Sequence, residues 1–144
     1  MITRDEIVAE ARSWLGTPYV HQASAKGLGT DCLGLVRGVY RALLQGEPER
    51  PPAYSADWAE FGGRELLRDA ARRHLVPIEP GGAIMGDVIL FRMRMNGPAK
   101  HAAILTAPGR MIHAYAGHAV METALSHWWR RRVAFAFAFP EVSE

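Results

Sequence analysis

The chain has 144 residues, 49% hydrophobic and 22% charged, with a formal net charge of +2. That length and apolar content suit one domain with a core of its own. No apolar run is long enough for membrane insertion, and the small basic excess does not argue for nucleic acid. One cysteine excludes an internal disulfide, so packing alone must hold the fold.

Asp5, Glu6 and Glu10 stand where a secretory signal needs apolar residues, so the expected place of synthesis is the cytoplasm. Thr3 and Glu6 have capping-box spacing, and Ile7, Ala11, Trp14 and Leu15 make an apolar stripe. This predicts a first helix, ended by Gly16 and Pro18. Residues 17–30, "TPYVHQASAKGLGT", read as loop. A second helix is predicted from Asp31, with Cys32, Leu35, Val36, Val39, Tyr40, Leu43 and Leu44 on its apolar face and Gly46 as its stop. Gly34 and Gly38 each cost it about 1 kcal/mol of propensity. Such a cost is best tolerated where something packs closely, which predicts a buried helix.

A proline-rich connection (45–58) leads to a third helix over 56–74. The pattern then turns to short strands at 87–95, 101–107, 110–116, 118–124 and 133–139, separated by Gly, Pro and Asn turns. In the last, alternation puts Val133, Phe135, Phe137 and Phe139 on one side and alanines on the other. Helices followed by antiparallel strands predict an α+β fold, one domain over residues 1–144.

Cys32 falls where loop becomes helix. There the macrodipole and unpaired amides favour thiolate, the nucleophilic form. The competing reading is a small buried hydrophobe. Asp31 before it suits an N-cap or a partner for a substrate amine. Of six histidines, His74 ends a charged helix and reads as a surface residue, and His127 looks peripheral. His21, in the loop after Tyr19, reads as cleft-lining or exposed, and the shortness of a loop tied to helices at both ends favours the cleft. His101 and His113 lie on two strands joined by a turn at 107–110, which brings them to the same end of a hairpin. One can take a thiol proton while the other orients it; the bland reading is two half-buried strand residues. A zinc site of Cys32, His101, His113 and His118 is a weaker rival, because the chain lacks a closely spaced ligand pair. Trp14, Trp58, Trp128 and Trp129 belong to no motif and read as core or partner contacts.

These pieces resemble the NlpC-type cell-wall peptidases, papain-like cysteine peptidases, in the branch found in phage tails and gene transfer particles. The resemblance rests on "GTPY", "TDCLGLV", "GDVILF", "KHAAILTAPGRMIHAYAGHAVMET" and "WWRRRVAFAFAFP", in that order. It implies a papain-like α+β fold of N-terminal helices on an antiparallel sheet. Cys32 becomes nucleophile, His101 general base and His113 the residue orienting it; Tyr19 and Asp31 become substrate-binding. Leu33 replaces the family's usual serine after the cysteine, which leaves the cleaved bond open. The implied function is hydrolysis of peptidoglycan stem peptides without metal or other cofactor, in a phage-like tail alongside tail-tip or hub proteins. The alternative is a non-catalytic structural or peptidoglycan-binding tail component of the same fold. Acyl transfer would use the same residues.

Overall fold

The computed structural model describes residues 1–46, 48 and 65–143. Most of the proline-rich connection, Trp58 and the 56–64 part of the expected third helix lie outside the described residues.

Helix α1 spans Arg4–Arg12 and opens on the expected capping box: Glu6 N–H donates to Thr3 Oγ1 (3.0 Å) and Thr3 N–H to Glu6 Oε1 (2.9 Å). Trp14 is buried, but Leu15 is exposed, contrary to the predicted stripe. The helix has ended by Arg12, so helical periodicity no longer sets where Leu15 points.

Helix α2, Cys32–Leu43, is buried as its glycines require. A Cβ on Gly38 would stand 2.1 Å from Trp14 Cζ2, and one on Gly34 2.0 Å from the Ala23 carbonyl oxygen. The helix cost of Gly38 is outweighed by the contact it permits, since a fully buried large apolar side chain contributes about 1.5–3 kcal/mol. The loop before α2 contains a small hairpin that periodicity did not reveal, β1 (Ser24–Ala25) and β2 (Gly29–Thr30).

Helix α3 covers Leu66–His74, with Leu67 buried. His74 is half-buried rather than on the surface, edge-on to Tyr40 with ring centroids 6.4 Å apart. Then come β3 (Val76–Ile78), a single 3-10 turn (Pro80–Gly82), β4 (Val88–Arg92), β5 (Ala99–Ala107), β6 (Arg110–His113), β7 (Met121–Ala124), α4 (His127–Arg130) and β8 (Val133–Ala138). Strand β3 was not expected because Pro77 sits in it; at the sheet edge, proline is tolerated. The Trp-Trp-Arg run forms a helical turn rather than the start of the closing strand.

The six strands form one antiparallel sheet in the order β3-β8-β4-β5-β6-β7. Leu90, Ala102, Ile104, Ile112 and Phe137 face α1 and α2, packing with Ile7, Trp14, Leu35 and Val39. Ile89, Phe91, Ala103, Met111 and Ala136 face the other way, under Trp129 and Leu125. Between Leu90 and Phe91 the β8 register shifts: Leu90 pairs with Phe135 but Phe91 with Val133. This irregularity puts Val133 on the second face with Phe91 and Ala136, correcting the single alternation predicted for β8.

Candidate active site

The start of α2 is held by its capping carboxylate and by the main chain of the loop before it. Asp31, buried at 4% exposure, caps the helix by accepting Gly34 N–H on Oδ1 (2.8 Å). Its Oδ2 accepts Gln22 N–H (2.8 Å), tying the loop to the helix. Tyr19 is held beside this turn by main-chain bonds on both sides of it: Val20 N–H donates to Thr30 O (3.1 Å) and Thr30 N–H to Pro18 O (3.0 Å). Gly34, kept clear of the Ala23 carbonyl, lets α2 start directly under the loop.

Cys32 is half-buried, and its thiol points at β5, with Sγ 4.0 Å from the Lys100 carbonyl oxygen. The Ala102 amide also bears on the sulfur. The sulfur therefore lies against the main chain on either side of His101. Burial pushes the thiol up to about 12 and the Asp31 charge adds to this; the amides of Ala102, Leu33 and Cys32 pull the other way. Burial, then the Cys32 and Asp31 charges, also push Tyr19 up to about 12, so its hydroxyl remains a proton donor at neutral pH.

The histidines come from the second face of the sheet. His101 pairs across β4 with Phe91, and its ring lies between Phe91 (5.8 Å between centroids) and Trp129 (5.1 Å). His113 is its diagonal neighbour on β6, with His101 Nε2 and His113 Nδ1 2.9 Å apart. His113 Nε2 reaches Thr123 Oγ1 on β7 at 3.1 Å. Burial and the His113 charge lower His101 to about 3; burial and the His118 charge lower His113 to about 4. Both rings are neutral at pH 7. With Nε2 engaged by His113, Nδ1 is the His101 nitrogen left to act as a base toward the thiol.

The hairpin expectation for His101 and His113 thus corresponds to a direct ring contact, and Cys32, Asp31 and Tyr19 gather at the same end of the sheet. His21 is exposed, as is His127. Among the described residues, no three His, Cys, Asp or Glu side chains are grouped to hold a metal ion. Sequence reasoning missed Thr123, Phe91, Tyr115 and Trp129. Phe91 flanks His101 by strand pairing and could have been read from register; Tyr115, past the end of β6, Thr123 and Trp129 carried no motif.

Residues 16–137 match the NlpC/P60 family. The chain is 31% identical over 119 residues to murein DD-endopeptidase MepH of Escherichia coli strain K12, covering 81% of this chain and 39% of that protein. It is 28% identical over 130 residues to gamma-DL-glutamyl hydrolase of Bacillus subtilis strain 168, covering 88% of this chain and 27% of that one. It therefore spans well under half the length of either curated relative. The fold matches the crystal structure of the NlpC/p60 domain of peptidoglycan hydrolase SagA with a TM-score of 0.67 at 24% identity, over 96% of this chain and 100% of that one. With α2, most of the sheet and the cysteine and histidine motifs inside the matched span, this chain belongs to the NlpC/P60 family.

Proposed function

We propose that this chain is a cysteine peptidase that hydrolyses peptide bonds in peptidoglycan stem peptides. The observation that carries this reading is the lone sulfur at the start of a buried helix, lodged against the main chain on either side of His101, a residue whose ring is held by His113 at 2.9 Å. The name of one curated relative, a murein DD-endopeptidase, supports the substrate class. The Cys32 thiol passes its proton to His101 Nδ1, and the thiolate attacks the peptide carbonyl. The Cys32 amide and the Tyr19 hydroxyl receive the oxyanion. The His101 imidazolium then gives its proton to the leaving amine, and a water activated by His101 hydrolyses the thioester. Asp31 contributes a negative charge beside Cys32, suited to a free substrate amine. Replacing Cys32 by Ala abolishes muropeptide release from purified sacculi on this reading; unchanged release would rule it out.

The order of the nucleophile, histidine and closing-strand motifs resembles the phage-tail branch of the family, with Leu33 a departure from the usual serine after the nucleophile. We therefore place its action in a phage-like tail, among tail-tip or hub proteins, after synthesis in the cytoplasm. Association with tail proteins in purified particles, tested by mass spectrometry, decides this. A second reading, a non-catalytic peptidoglycan-binding component, is favoured by the upward push on the Cys32 thiol. Iodoacetamide separates the two: a peptidase thiol reacts near neutral pH with an imidazole-linked profile, an inert one does not.

A further inference from the structure

The His101–His113 pair does not end at His113. His113 is 3% exposed, and its second nitrogen meets a hydroxyl on the edge strand, Thr123 Oγ1 at 3.1 Å. Strand β7 is itself anchored from the other side of the sheet. Glu122 accepts Arg12 Nε and Nη2 from α1 (both 3.1 Å) and the Thr106 hydroxyl from β5 (2.8 Å). The titratable groups facing His113 are His101 on β5, Tyr115 just after β6 and His118 in the turn before β7; Trp129 on α4 covers it. The Glu122 carboxylate is engaged with Arg12 and Thr106 rather than with the rings.

We propose that Thr123 is a positioning residue whose oxygen accepts the His113 Nε2 proton and thereby leaves His101 Nδ1 as the nitrogen that takes the thiol proton. This rests on reading Cys32 and His101 as nucleophile and base. Two proton arrangements satisfy the ring pair at rest. In one, both rings carry their proton on Nε2, His101 donates to His113 Nδ1, and His113 donates to Thr123. In the other, His113 carries its proton on Nδ1 and donates to His101 Nε2, which puts the His101 proton on Nδ1 and leaves no lone pair for the thiol. Once His101 is an imidazolium, both its nitrogens carry protons. His113 Nδ1 must then accept, and its only proton sits on Nε2. A buried N–H there needs an acceptor, and Thr123 supplies it. A single proton moves, from Sγ to His101 Nδ1.

Imidazole nitrogen NMR on the full chain, with iodoacetamide rates from pH 5 to 10, tests this without any substrate. Wild type is expected to show both rings as Nε2–H tautomers. Thr123→Val, which keeps the shape and removes the hydroxyl, is expected to mix the His113 tautomers and slow alkylation at pH 7 about tenfold. Thr123→Ser is expected to restore both. The proposal is overturned if wild-type His113 carries its proton on Nδ1, if Thr123→Val behaves as wild type, if Thr123→Ser is as slow as Val, or if the wild-type profile has no imidazole-linked limb. Failure of the peptidase reading shows separately, as muropeptide release that survives Cys32→Ala.

Discussion

The two halves of the site are held in place by different means. The sulfur is positioned by how the main chain is held: the Asp31 carboxylate capping the helix amides, two loop-to-loop amide bonds and two glycines that admit a carbonyl and a tryptophan ring to the helix surface. The imidazoles are positioned by side chains on the opposite face of the sheet, in a run from His101 through His113 to Thr123 beneath Trp129. The halves adjoin at the backbone of residues 100–102, where Sγ lies 4.0 Å from the Lys100 carbonyl oxygen. A fault on the sulfur side should therefore cost fold and activity together, and one on the imidazole side should cost activity far more than fold.

The sharpest test is His101→Gln. Its amide can still bond His113, so the urea unfolding free energy is expected to change by about 1 kcal/mol. Removing a general base should lower kcat by about 10²–10⁴-fold in the sacculus assay. Equal losses in both measurements would break the contrast between the halves.

Gly34→Ala is the converse. Its Cβ would meet the Ala23 carbonyl oxygen at 2.0 Å and Thr30 Oγ1 at 2.5 Å, and the carbonyl is not a flexible side-chain end that can swing away. Overpacking of this kind is expected to cost about 3 kcal/mol, read as a lowered urea midpoint, with activity falling in parallel. A variant that unfolds with wild type would show that the loop over α2 yields easily.

The imidazole side also has a pH signature. His101 and His113 have folded pKa values of about 3 and 4, below the 6.5 of the unfolded chain. The unfolded state therefore binds more protons as pH falls below 6.5. Stability from these rings is complete above that value and declines on acidification by up to about 2.7 kcal/mol per pH unit for the pair. Glu122, lowered to about 2 chiefly by its Arg12 hydrogen bond, enters only below 4.5. The window from pH 6.5 to 4.5 thus reports the histidines, and His101→Gln should halve its slope. An unchanged slope would mean the rings protonate without opening the structure.

Much of this arrangement was legible in the sequence, and the failures are instructive. The switch from a 3.6-residue to a two-residue period marks the passage from helices to strands. The short turn at 107–110 fixes which end of the hairpin His101 and His113 share. Pro77 conceals β3, because a proline signals against strands unless the strand is known to lie at an edge. The β8 irregularity is invisible because the Phe-Ala alternation continues through it; only pairing with β4 reveals the skipped residue. Thr123 meets His113 through the register of β6 with β7, and nothing in "AYAGHAV" specifies that register. Trp129 sits in a four-residue helix, too short to show a period.

The smallest expected effect separates two roles of one residue. Asp31 caps α2, and its charge opposes ionisation of Cys32. Asp31→Ala removes both, and loss of the cap is expected to cost about 1 kcal/mol of stability. Asp31→Asn keeps an oxygen for the Gly34 amide, removes the charge and gives up the acceptor for the Gln22 amide, so it should unfold closer to wild type than Asp31→Ala. Because the Asp31 charge raises the thiol pKa, removing it lowers that pKa and enlarges the thiolate fraction at pH 8. Alkylation of Asp31→Asn should then be faster than wild type even though it is no more stable. If hydrolysis at the same time shows a raised KM with kcat maintained, the charge also serves a substrate amine. Slower alkylation in Asp31→Asn would mean instead that the carboxylate acts on the sulfur through the geometry of the helix start and not through its charge.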